Sequence, residues 1–330
     1  MKQSYFIQCV LLCALLLILS WISLFAWSAV PVTPMDAINA LVNMDDEIVA
    51  HHVVWDIRVP RLLTAILVGA SLAMAGAIMQ ALTQNPLASP SVLGINAGAA
   101  LGMATVSTIT PWLGLLSSSI AAMIGGGVAW VIVMLLGSAW KAGGEHGRLV
   151  LAGIAVSALC AALTKAMVIL AEDQASAVMA WLAGSLASAS WEVCYALLPF
   201  ALIGLILTIP LSPILNLFQL GEDNARNLGV SLLWTKLACS LLVLLLVGGS
   251  LAAVGSMGFI GLLVPHIARM LCGYDHRKFM PLAMLIGACL VIASDIVSRS
   301  IVFPTETPAG ALLALFGAPF FIYLVRKRTL

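Results

Sequence analysis

Long apolar runs constrain this chain more than any other feature it has. "CVLLCALLLILSWISLFAW" (9–27) and "LACSLLVLLLVGG" (237–249) carry no charge. Neither alternates apolar with polar residues, as the strands of a membrane barrel would. A helix needs about 20 mostly apolar residues to cross a bilayer. Ten segments approach that measure: roughly 5–28, 62–82, 91–109, 117–139, 149–171, 193–210, 235–255, 257–273, 280–298 and 308–325. Charged residues make up only 9% of the chain, against about one quarter in a soluble domain. The expected fold is all-α: a polytopic membrane protein of about ten transmembrane helices, forming a single domain over residues 1–330. The first run is longer than the roughly 7–15-residue core of a signal peptide and has only Lys2 before it, so it reads as a retained span.

Several function classes drop out early. A net charge of +1 gives no footprint for nucleic acid. The seven cysteines are scattered through apolar runs without a CxxC pair, so neither a metal site nor a disulfide framework is suggested. No cofactor motif is present. "KAGGEHGR" (141–148) is glycine-rich but lacks the GK[ST] ending of a phosphate loop. If ATP drives this protein, another chain hydrolyses it. An ion-coupled secondary transporter would need carboxylates or broken-helix ion sites near mid-membrane, and the ten segments carry no Asp or Glu at their centres.

Lys and Arg concentrate on the cytoplasmic side of membrane proteins. With the N-terminus inside, eleven basic residues fall inside: Lys2, Lys141, Arg148, Arg226, Lys236, Arg269, Arg277, Lys278, Arg326, Lys327 and Arg328. Only Arg58, Arg61 and Arg299 fall outside, and Lys165 lies within a span. Both termini are therefore expected in the cytoplasm. The acids Asp36, Asp45, Asp46, Glu47, Asp56, Glu172, Asp173, Glu192, Asp295 and Glu306 fall on the outer side. Each outer arginine could snorkel to headgroups or pair with Asp56 or Asp295. Three exceptions together favour a docking role.

Small residues recur four apart at Gly94, Gly98 and Gly102, and at Gly69, Ala73 and Ala77. Such stripes let helix backbones approach closely. Pro265 falls inside an apolar segment and cannot donate to the Gly261 carbonyl, so a kink with an exposed acceptor is expected there. "NPLASP" (85–90) cannot be continuous helix and makes Asn85, Pro86 and Leu87 candidates for the inner mouth of a pathway. The stretch 211–235 is the longest interior connection. It divides into short amphipathic pieces around Gly221 and Gly229. Glu222 and Asp223 open the second piece, where acids favour a helix start, and Gly229 can end it. A short exposed helix of this kind is a handle for a soluble partner.

Four stretches carry a resemblance: "RVPRLLTAILVGASLAMAGAIMQALTQNPLASPSVLG", "GEDNARNLGV", "GFIGLLVPHIARMLCGYDHR" and "SDIVSRS…ETPAGALLALFGAPFF". The chain resembles, over essentially its whole length, the permease subunits of iron-chelate and vitamin B12 ABC importers, the FecCD family. It looks most like the ferric citrate branch, including "LTKAMVILAEDQA". The resemblance implies a non-enzymatic permease in a bacterial cytoplasmic membrane, moving an iron(III) chelate or, alternatively, vitamin B12 or haem. It implies ten spans and a second permease, identical or related, around a central path. Two cytoplasmic ATPase subunits and one outer substrate-binding protein complete the assembly it implies. By the same resemblance Arg58, Arg61 and Arg299 would pair with acids of the binding protein. The ATPase-contacting loop maps to Gly221–Val230, with Gly221, Glu222, Ala225, Arg226 and Gly229. The inner gate maps to Asn85, Pro86 and Leu87. The family's fifth span lines the path, so Lys165 would favour an anionic cargo such as ferric citrate.

Overall fold

The computed structural model describes residues 2–109, 114–137, 146–170 and 172–328. Among these the structure is helical throughout, without strands. In chain order the helices are α1 Lys2–Phe25, α2 Pro34–Val42, α3 Val49–His52, α4 Val59–Leu82, α5 Ile95–Ile109, α6 Gly114–Leu136 and α7 His146–Leu170. There follow α8 Glu172–Ala183, α9 Trp191–Phe218, α10 Glu222–Asn227, α11 Leu232–Val254, α12 Ile260–Cys272, α13 His276–Ile301 and α14 Ala309–Arg328. Six helical stretches are long and apolar enough to cross a membrane; four shorter apolar helices lie at Ile95–Ile109, Ile120–Leu136, Ile260–Cys272 and Ala309–Ile322. Together they fall on the segments read from the apolar runs. Lys141 and the expected span ends at 139 and 171 lie outside the described residues.

Helix α4 forms the axis of the bundle. It packs against α9, α11, α12 and α13, and nearly all its residues from Pro60 onward are buried. Small residues make this possible. A Cβ at Gly69 would overlap the backbone of Gly287 on α13, and one at Gly76 would overlap Gly261 on α12. Gly98 and Gly102 of α5 meet Gly125 and Ala121 of α6 in the same way. Gly94, grouped with them by spacing, does something else. It ends a short 3₁₀ turn (Pro90–Leu93) at φ +77°, a conformation that glycine adopts without strain.

The expected gap at Pro265 is present and filled. The Gln80 amide of α4 donates to the Gly261 carbonyl at 3.3 Å and lies 3.5 Å from that of Leu262. A carbonyl orphaned in an apolar interior is costly, and here a neighbouring helix satisfies it.

One expectation needs correction. Residues 211–218 are no separate amphipathic piece but the end of α9, which runs on through Pro210 and Pro213. The connections 29–61 and 172–192 also hold helices of their own. Thr33 opens α2 with a capping box closed by Asp36, and Pro34 takes the first turn. Asp295, expected on the same side as Arg58 and Arg61, lies near the C-terminal end of α13 and is buried there.

Candidate functional site

At one end of the bundle, a six-residue π-helical stretch, Val53–Arg58, joins α3 to α4. The Val59 N–H reaches back five residues to the Val54 carbonyl. Val54 and Arg58 are buried there while Trp55, Asp56 and Ile57 face outward. π-Helical turns of this kind are frequent at functional sites. Arg61 follows one turn into α4. Asp295 and Arg299 sit one turn apart on α13, and Glu306 lies in the connection to α14.

These five residues form one cluster. The Arg61 guanidinium presents one edge to Asp295, with Nε–Oδ1 at 2.9 Å and Nη2–Oδ1 at 2.7 Å. Its other edge faces Glu306, with Nη1–Oε1 at 2.9 Å and Nη2–Oε2 at 2.8 Å. Two carboxylates thus grip one guanidinium in the bidentate manner that suits arginine. Arg299 reaches Asp295 at 3.1 Å and also donates to the Ser23 and Ala26 carbonyls, each at 3.1 Å. Arg58 donates to the Trp27 carbonyl at 3.1 Å. The last two arginines therefore cap the C-terminal end of α1, where carbonyl dipoles favour cations. Asp56, one sequence-level partner for them, pairs with His52 at 3.1 Å instead. All three arginines are buried, at 5%, 4% and 1% exposure in sequence order. Arg58 Nε and Nη1 are buried and have no hydrogen-bond partner among the described residues. Partial burial pushes the Glu306 carboxyl up, but the Arg61 hydrogen bond and charge outweigh it and hold it below its ordinary value.

At the opposite end, α10 projects from the bundle. Gly221 (φ +97°) and Gly229 (φ +87°) bound it in conformations that favour glycine. The Val230 N–H returns to the Ala225 carbonyl at 3.0 Å, closing the helix. Ala225 is fully buried and anchors it, and Glu222 pairs with Lys236 of α11 at 2.7 Å. Arg226, Leu220 and Leu228 are exposed. The sequence reading of Glu222 as first residue and Gly229 as terminator holds in the structure.

Between the ends of α4, α9 and α12 lies a cleft of about 450 Å³, lined by Gln84, Pro86, Gln219, Arg269, Tyr274 and His276 among others. Gln84 donates to the Phe218 carbonyl at 2.6 Å and ties the end of α4 to the end of α9. Asn85 forms a local turn, accepting from the Leu87 N–H at 2.9 Å. Asn216 donates to Asp275 at 2.8 Å, and that bond, ahead of the smaller contribution from the Arg277 N–H, holds the Asp275 carboxyl below its usual range. Arg269 bonds Gln80 and lies over the Phe279 ring, 5.3 Å from its centre. Of the triplet 85–87, Pro86 lines the cleft; Asn85, Leu87 and Lys165 do not. Lys165 sits on the exposed face of α7, near outward-facing Leu163 and Ile169.

Sequence reasoning missed Glu306, Ser23 and Trp27 as members of the arginine cluster, and Gln80 as the cap for Gly261. No short spacing links them: Glu306, Ser23 and Gln80 lie 245, 276 and 181 residues from their partners, and Trp27 lies 31 from Arg58. The one available signal was a glutamine within an otherwise apolar span, since such a residue needs a partner.

Membrane-length helices, seams of small residues and a polar constellation at each end define an integral-membrane permease. The chain belongs to the FecCD transport family, whose model matches residues 15–327. It is a transport subunit, and in this family ATP hydrolysis belongs to a separate chain. It is 45% identical over 316 residues to the Fe(3+) dicitrate transport system permease protein FecC of Escherichia coli K12, covering 96% of this chain and 95% of that one. It is 41% identical to the hemin transport system permease protein HmuU of Yersinia pestis, covering 84% of each. A solved inward-facing structure of a metal-chelate type ABC transporter superposes with a TM-score of 0.84 at 32% identity, over 97% of this chain and 98% of that one.

Proposed function

We propose that this chain is the permease of a binding-protein-dependent ABC importer that carries an iron(III) chelate, with ferric citrate first among the candidates, across the bacterial inner membrane. The observation that carries the cargo assignment is the 45% identity to a ferric dicitrate permease across nearly the full length of both chains. Haem is the second reading, favoured by the 41% identity to a hemin permease. The whole of residues 1–330 acts as one permease domain, with both termini in the cytoplasm; the eleven-to-three distribution of basic residues supports that orientation. Its partners are a cytoplasmic ATPase pair, an outer binding protein and a second permease. A ferric dicitrate relative named FecD, 35% identical, supports a related rather than an identical second chain.

Roles follow for the two ends. Arg58, Arg61 and Arg299 receive acids of the binding protein; the buried nitrogens of Arg58 that lack partners support this. The exposed α10, with Gly221, Glu222, Ala225, Arg226 and Gly229, receives the ATPase, and its rigid seat on α11 suits a lever. Asn85, Pro86 and Leu87 act at the inner gate. Lys165, exposed on the single chain, faces the path between the two permeases and favours an anionic cargo. Binding protein and nucleotide can drive transport only by favouring different arrangements of the bundle.

The test is uptake of radiolabelled iron by cells lacking other importers, supplied with this permease, its ATPase and its binding protein. Ferric citrate should accumulate and haem or a ferric hydroxamate should not. Uptake of haem without ferric citrate would reverse the cargo assignment.

A further inference from the structure

The arginine cluster holds three arginines, Arg58, Arg61 and Arg299, against two acids, Asp295 and Glu306. One positive charge is left over, with the unpartnered Nε and Nη1 of Arg58 buried beside it. One more carboxylate would balance the cluster. Yet in this arrangement Arg61, at the centre, has no edge free to receive it. Asp295 fills one edge and Glu306 the other.

The two acids differ in how they can move. Asp295 is 1% exposed, lies within α13 and is bonded to Arg299 as well. Glu306 has 29% of its side chain exposed and stands on the short connection between α13 and α14. That connection is held by side-chain and backbone bonds from Thr307 to the Ser298 carbonyl, at 2.9 and 3.1 Å. An incoming acid can displace Glu306; it cannot displace Asp295 without breaking α13's own packing.

We infer that Glu306 is an internal place-holder at the docking site, occupying the edge of Arg61 that a carboxylate of the binding protein takes, so that docking is an exchange of one acid for another. The inference rests on the docking reading of these arginines. Exchange has two consequences. A tethered acid competes at high effective concentration, so a single stray surface carboxylate cannot hold the site. A partner must also engage Arg58, which has donors to spare. Released from Arg61, Glu306 frees the connection leading to α14. The start of α14 is bonded through the Gly310 N–H to the Gly184 carbonyl at 2.9 Å, next to α8. Docking thereby reaches elements that make no contact with the partner acid.

The experiment measures binding-protein affinity for the permease–ATPase complex in lipid nanodiscs. Glu306→Gln removes the competing charge and should tighten docking about tenfold, while Arg58→Gln should weaken it by about the same factor. Thr307→Ala keeps every charge and loosens only the tether, so it should tighten docking by a smaller factor and serves if Glu306→Gln does not assemble. Glu306→Asp keeps the competing carboxylate and should stay nearer the parent affinity than Glu306→Gln does. Unchanged or weaker docking by both Glu306→Gln and Thr307→Ala, with Arg58→Gln still weakening it, overturns the place-holder and leaves docking standing. No effect of Arg58→Gln overturns the docking reading itself.

Discussion

Replacing Asp295 by asparagine should be among the most damaging single isosteric changes in this protein. The carboxylate is 1% exposed and accepts from Arg61 at 2.7, 2.9 and 3.1 Å and from Arg299 at 3.1 Å. An amide keeps the shape but loses the charge, and it turns a donor toward two guanidinium groups. Each close pair is worth roughly 4 kcal/mol at an effective dielectric of 20. Removing one partner of a buried pair typically costs about 3–5 kcal/mol, because the other charge stays buried. Here Glu306 still holds Arg61, so the lower part of that range, about 3 kcal/mol, is expected. The exposed pair His52–Asp56 supplies the control. Asp56→Asn removes a surface contact worth about 0–1 kcal/mol. Denaturant unfolding of the purified permease in detergent, followed by tryptophan fluorescence, compares the two variants. A loss below about 1 kcal/mol for Asp295→Asn, or one equal to that of Asp56→Asn, would refute the reasoning that the cluster is a desolvated ion network.

Gln80→Leu should cost about 1–3 kcal/mol in the same unfolding assay, since the Gly261 carbonyl loses its donor in an apolar interior; no loss would mean that Pro265 is accommodated another way. Gly229→Pro should leave the permease folded in the membrane yet abolish most binding-protein-stimulated ATP hydrolysis, because φ +87° is closed to proline; normal stimulation would remove α10 as the ATPase seat. Lys165→Met, an unbranched apolar replacement, should lower ferric citrate uptake severalfold at unchanged membrane level and docking, since an intramembrane charge that is not a snorkelling one faces a path or an interior; full uptake would return Lys165 to the lipid face.

Much of this protein was legible before any coordinates. Apolar runs of membrane length fixed the class, because a chain with so few charges has nowhere else to put its surface. Pro265, Gly221 and Gly229 announced their backbone roles locally, since proline and glycine act on their own dihedral angles. The long motifs carried the family, and the asymmetry of basic residues pointed to an orientation. What stayed hidden was most of what depends on which helices meet. Arg61 comes 234 residues before Asp295 and 245 before Glu306, and no periodicity connects them. Gln80 and Gly261 are 181 apart. Gly94 shared a spacing with Gly98 and Gly102, and only its left-handed backbone separated its role from theirs. Sequence patterns report what a residue does to its own turn and which face of a helix is oily. Asp295 was among the acids the sequence offered, and it stands one turn from Arg299 on the same helix. That it also meets Arg61, and that Glu306 and the α1 end join them, was decided by tertiary packing, because burying a charge is tolerable only when other elements converge on it.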